Sequence, residues 1–118
     1  MIEMAKLQTL LVSRGDVIEL MTFDDYLAAA EDAFRLHADG KFIPTGLLHA
    51  DAAGGEYHIK TGGLYLGRAF FGLKVNGGFF GNPERNGMPA IQGIIYLSDA
   101  ETGYPLAILD SVEITRSF

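Results

Sequence analysis

Apolar positions along the chain follow two regimes, and the change falls near Pro44. Before it, the spacing is mostly helical. Leu7 to Val12 is a short apolar run that reads as a strand, and Ser13 followed by Asp16 has the spacing of a capping box, so a short helix is expected from Arg14 to about Met21. Thr22 with Asp25 repeats the device. Phe23, Tyr26, Leu27, Ala30, Ala33, Phe34 and His37 then recur at three- and four-residue spacing, which predicts an amphipathic helix of about four turns. Asp24 and Asp25 suit the positive end of its dipole, and Gly40 suits a left-handed stop just past its end.

After Pro44 the apolar pattern shifts to period two or to short continuous runs, which predicts strands over Leu47–Asp51, Glu56–Thr61, Ala69–Val75, Ile91–Ser98 and Tyr104–Leu109. Ala52 to Gly55 and Asp99 to Gly103 read as antiparallel hairpin connections. The Gly77–Pro89 segment, GGFFGNPERNGMP, is too rich in Gly, Pro and Asn for a regular element and too long for a simple turn, which marks it as a functional loop. A strand, two helices and a meander predict an α+β fold: a mainly antiparallel or mixed twisted sheet with the N-terminal helices packed on one face.

Composition narrows the class. The chain has 118 residues, 48% of them hydrophobic, with 8 Phe and 5 Tyr, so one domain over residues 1–118 with its own core is expected and disorder is excluded. No apolar stretch approaches the ~20 residues of a membrane span. The absence of cysteine removes disulfides, thiolate nucleophiles and thiolate metal sites, and the opening MIEMAKLQTLLVSRGD has no basic segment ahead of an apolar one, so a cytoplasmic address is expected. A net charge of −6 argues against nucleic acid as a partner.

Few side chains stand out chemically. His37 falls at the end of the long helix, where the dipole favours a cation. His49 and His58 flank the first hairpin and could stand side by side, but no third ligand with suitable spacing is evident, so no metal is expected. Ser13, Ser98, Ser111 and Ser117 lack a nucleophile-elbow context, and no Gly-x-Gly-x-x-Gly joins a strand to a helix, so this chain holds no cofactor-binding residues of its own. Lys60 and Lys74 each interrupt apolar strand sequence. A half-buried ammonium usually has an anionic partner or ligand, the alternative being a place on the solvent face of a half-exposed strand.

Four ordered motifs resemble one family. Lys74-Val75-Asn76-Gly77-Gly78-Phe79-Phe80-Gly81-Asn82-Pro83, Gly87 to Gly93, Leu97 to Ala107 and Asp110 to Thr115 closely resemble the ornithine cyclodeaminase/mu-crystallin family, which includes archaeal-type alanine dehydrogenases. The resemblance implies a substrate-binding and dimerisation domain, followed in the family by a Rossmann domain that binds NAD(H) or NADP(H) and is expected to be absent from these residues. It implies that Lys74 faces the substrate carboxylate or carbonyl and assists proton transfer when a cofactor domain is supplied. Lys60 looks like a carboxylate-facing position. Asn76, Gly77 and Asn82 are expected beside Lys74 at the mouth of the pocket. An arginine carried by many members would fall at Gly46, and a second one at about Phe118; Phe80 stands where a proline is usual. The expected protein is thus a homodimer joined through its sheets, since a strand such as Ile91–Leu97 is too long for a bare edge, and it binds a small amino or imino acid without turnover of its own. Two alternatives stand beside it: a piece of an active NAD(P)-dependent cyclodeaminase or alanine dehydrogenase, and an interaction module with a vestigial pocket.

Overall fold

The computed structural model describes residues 8–112. Both capping boxes form. Ser13 is the cap of helix α1 (Arg14–Leu20), its hydroxyl accepting from the Asp16 amide at 3.2 Å while the Ser13 amide donates to the Asp16 carboxylate at 3.0 Å. Thr22 and Asp25 repeat this at the start of α2 (Phe23–Ala38), at 3.2 and 2.8 Å. Helix α2 ends in a Schellman motif: Gly40, at φ 73°, donates to the His37 carbonyl, and Lys41 to that of Leu36.

Strands β1 (Leu10–Val12), β2 (Phe42–Ala52), β3 (Gly55–Tyr65), β4 (Ala69–Gly78), β5 (Ile91–Asp99) and β6 (Pro105–Asp110) form one six-stranded sheet in the order β1-β6-β5-β4-β3-β2. The β1–β6 pairing is parallel and the other four are antiparallel, so the sheet is mixed and the class is α+β. Strand β2 begins at Phe42, before Pro44, because an edge strand tolerates a residue without an amide proton; the pairing shifts register between Ile43 and Gly46, around that proline. The loop expected over Gly77–Pro89 is more ordered than its composition suggests. It holds a four-residue helical turn α3 (Asn82–Arg85), with Pro83 in the first turn, where its missing amide proton is not needed.

Strand β5 is internal, paired with β4 on one side and β6 on the other, which corrects its expected place at a bare edge. The edges are β1, only three residues long, and β2, of eleven residues. Cover is thin. Helix α1 touches β6 and α2 touches β3, and the buried apolar side chains among the described residues are Val17, Ala69 and Ala107. Leu11, Phe34 and Leu47 remain 76%, 77% and 73% exposed. The accessible surface of 8208 Å² exceeds the roughly 6,300 Å² of a typical folded monomer of 12.8 kDa. The radius of gyration, 15.8 Å, likewise exceeds the roughly 13.5 Å of a compact domain of this length. No helix among the described residues is long and apolar enough to cross a membrane.

Candidate functional site

Directly paired residues share a face of an antiparallel sheet, so the register can be read as rows across strands. One row runs Leu47, Lys60, Lys74, Ile95; the next runs His49, His58, Asn76, Gly93; the third runs Asp51, Glu56, Gly78, Ile91. Side chains therefore gather residues that are far apart in the chain. Between Lys60 and the end of the sheet they bound a cavity of about 310 Å³, lined among others by Glu56, His58, Lys60, Lys74, Asn76 and Phe80. On the other side of the lysine row the Gly62–Gly72 pair contributes no side chains, which leaves an apolar trough against Leu64, Phe70 and Leu97.

Lys60 and Lys74 are direct cross-strand neighbours. Lys60 is exposed and Lys74 half-buried, and among the described residues no carboxylate stands within ion-pair distance of either. Loss of hydration pushes the Lys74 ammonium below the usual lysine range, and the Lys60 charge beside it pushes the same way. Two cations without an anion make this corner of the sheet electrostatically incomplete.

Asn76 is held from behind. Ser111, 1% exposed, donates its hydroxyl to Asn76 Oδ1 at 2.8 Å, and its amide donates to the Gly93 carbonyl at 3.1 Å. Gly93 gives room for this. A Cβ there would overlap the Val75 carbonyl and the Asn76 side chain, and would stand 2.8 Å from Asn76 Cα. Reading Ser111 only as a failed nucleophile missed this role; its place directly after the Asp110 that ends β6 is the one signal the sequence carries.

The structure brings Lys60, Lys74 and Asn76 together at one cavity, and Gly77 and Asn82 do not line it. Gly77 is one residue out of phase with the row of Asn76. A Cβ on it would lie 3.2 Å from both Phe79 and Tyr57, whose rings meet edge to face, and the cavity is lined by Gly78 instead. Asn82 spends its amide on the Pro89 carbonyl at 3.1 Å and shapes the loop, while Phe80 reaches the cavity. Gly46 pairs with Thr61, one step off the lysine row, and a Cβ there would come 2.6 Å from Thr61 Oγ1, so a side chain at 46 would start on the face away from the lysines. The motif from Glu113 to Thr115 and the position at Phe118 lie outside the described residues.

The first hairpin also holds a group that spacing did not reveal. His49 and His58 are directly paired, with ring centres 4.8 Å apart, and Glu56 stands with one carboxylate oxygen 3.2 Å from His49 Nε2 and the other 3.1 Å from His58 Nε2. Asp51 adds an oxygen 3.0 Å from His49 Nε2. His37 stands apart in role, its ring stacked on Phe42 at 4.1 Å.

The model of the ornithine cyclodeaminase/mu-crystallin family matches residues 7–117. An alanine dehydrogenase of Archaeoglobus fulgidus is 30% identical over 109 residues, which cover 92% of this chain and 33% of that protein. Among solved structures, an archaeal alanine dehydrogenase dimer with bound NAD superposes at a TM-score of 0.83 with 30% identity, over 94% of this chain and 33% of the other. The Δ1-pyrroline-2-carboxylate reductase of Thermococcus litoralis, in complex with NADH and L-proline, follows at 0.80 with 26% identity, over 92% and 34%. The chain spans about a third of the length of these relatives.

Proposed function

The chain belongs to the ornithine cyclodeaminase/mu-crystallin family, and from that premise we propose that residues 1–118 are its substrate-binding and dimerisation domain, which receives a small amino or imino acid at Lys60 and Lys74. The observation that carries this reading is the pair of neighbouring ammonium groups with no carboxylate partner among the described residues, set at a cavity of about 310 Å³. That volume suits a small ligand better than a dinucleotide. A ligand carboxylate placed between the two lysines would offset their repulsion and favour the charged form of Lys74, and the Asn76 amide, fixed by Ser111, would orient the ligand's polar end. Lys74, the more buried of the two, is the group suited to exchange a proton with the substrate.

Turnover is a separate matter. Hydride transfer needs a positioned nicotinamide, and the dinucleotide named with the two solved relatives finds no cradle among the described residues. Strands β3 to β6 each pair antiparallel with the strand before, and β1 and β2 lie at opposite edges of the sheet, so among the described residues no strand, glycine turn, helix and adjacent parallel strand stand together. We therefore assign this chain ligand binding without hydride transfer.

Dimerisation through the sheet belongs to the same reading. One similar structure is described as a dimer, the surface exceeds that of a typical monomer by about 1,900 Å², and β2 offers a long, exposed edge.

Calorimetric titration of the chain with L-alanine, L-proline and pyruvate tests the proposal. At least one should bind, and Lys74→Ala and Lys60→Ala should each remove that binding. Binding left unchanged by both substitutions, or sub-millimolar binding of NADH to this polypeptide, would overturn it. Light scattering should give twice the chain mass at micromolar concentration; a monomer there refutes the dimer.

A further inference from the structure

We infer that the first hairpin carries a divalent transition-metal site formed by His49, Glu56 and His58, with Asp51 as a fourth donor. Antiparallel pairing puts His49 opposite His58 and Asp51 opposite Glu56, so four ligand-type side chains stand at the corners of one block on one face of β2 and β3. One ligand atom from each of His49, Glu56 and His58 lies within 4.8 Å of the others.

The distances suit a small ion. Zinc with nitrogen and oxygen donors at about 2.0–2.2 Å in a tetrahedron holds neighbouring donors roughly 3.4 Å apart. The His49–Glu56, His58–Glu56 and His49–Asp51 separations of 3.2, 3.1 and 3.0 Å are already close to those edges, and the ligand atoms of His49, Glu56 and His58 need only draw in from within 4.8 Å of one another. Two imidazoles with carboxylate select zinc, nickel or copper over magnesium or calcium, which prefer all-oxygen shells. Two carboxylates supply the countercharge, two rows from Lys60 on the same face. With no cysteine and three histidines in the chain, the block gathers two of its three strongest available metal ligands.

The competing account is that the histidines and carboxylates only satisfy one another by hydrogen bonding. It makes a different prediction, because mutual hydrogen bonds create no metal uptake. The site shares Glu56 and His58 with the lysine cavity, and metal uptake by the chain alone is read without any ligand in that cavity.

Calorimetric titration of the intact chain with zinc chloride should show one equivalent bound. His49→Gln and His58→Gln should each weaken it about tenfold or more, the scale on which lost coordination contacts act, whereas His37→Gln should leave it unchanged. Cobalt(II) added to the unmodified chain should develop the intense visible bands of a four-coordinate ion, a readout that needs no variant. Absence of zinc uptake at millimolar metal, an octahedral cobalt spectrum, or equal weakening by His37→Gln would overturn the site.

Discussion

Replacing Lys74 by Gln should stabilise the fold, because it removes one of two ammonium groups paired directly across β3 and β4. Paired Cβ atoms stand about 5 Å apart. Two unit charges about 6 Å apart repel by about 0.7 kcal/mol in water-like surroundings and by about 2.8 kcal/mol at an effective dielectric of about 20. Lys60 is exposed and Lys74 half-buried, so solvent screening holds the value near the lower end, about 1 kcal/mol. For a chain of this length that amounts to a rise in Tm of about 4 °C. The pH dependence has a definite sign. Desolvation and then Lys60 lower the folded-state pKa of Lys74 from 10.5, so between the folded value and 10.5 the unfolded chain binds more protons and the parent gains stability as pH rises. The variant has no such gain. Its advantage should therefore be largest near neutral pH and shrink as pH climbs through that window, and salt should reduce it by screening. Thermal unfolding followed by circular dichroism, at neutral and alkaline pH and at low and high sodium chloride, measures all of this. A variant less stable than the parent at neutral pH, by a margin indifferent to pH and salt, would refute the reasoning.

Gly93→Ala should destabilise by about 3 kcal/mol, since its Cβ overlaps the Val75 carbonyl and β4 and β5 would have to separate; urea unfolding reads the loss. Ser111→Ala should destabilise by about 1–2 kcal/mol by leaving Asn76 Oδ1 without its buried donor, and in a double-mutant cycle with Asn76→Ala the two effects should fall well short of additive.

Local signals in the sequence are those that local physics decides. Both capping boxes, the Gly40 stop and the positions of five strands are visible because each depends on neighbours within four residues or on a period of two. The start of β2 at Phe42 was hidden by Pro44, whose missing donor matters only where the strand is paired on that side. The site is less visible. Lys60 and Lys74 draw notice as cations in apolar runs, but their adjacency depends on the β3–β4 register, and so does the fact that Gly78 rather than Gly77 opens the cavity. Glu56 escaped as a partner of the histidines for the same reason. Its distance from His49 is a property of the hairpin rather than of spacing along one strand.

The thin cover of the sheet and the unbalanced lysine pair bear on one another. A second protein surface laid over the lysine face would exclude water from Lys60 and Lys74 and raise the cost of keeping both charged. An anion held between them would lower that cost, and more so in the drier setting, where charges interact more strongly. Covering the face and binding the anion would then favour each other by the same factor, as linkage requires. The open trough at Gly62 and Gly72, and the exposure of Leu47 beside Lys60, leave space for such a cover next to the charges it would desolvate. On this reasoning the like-charge repulsion of the uncovered lysine pair sets the work that a cover and an anion would share.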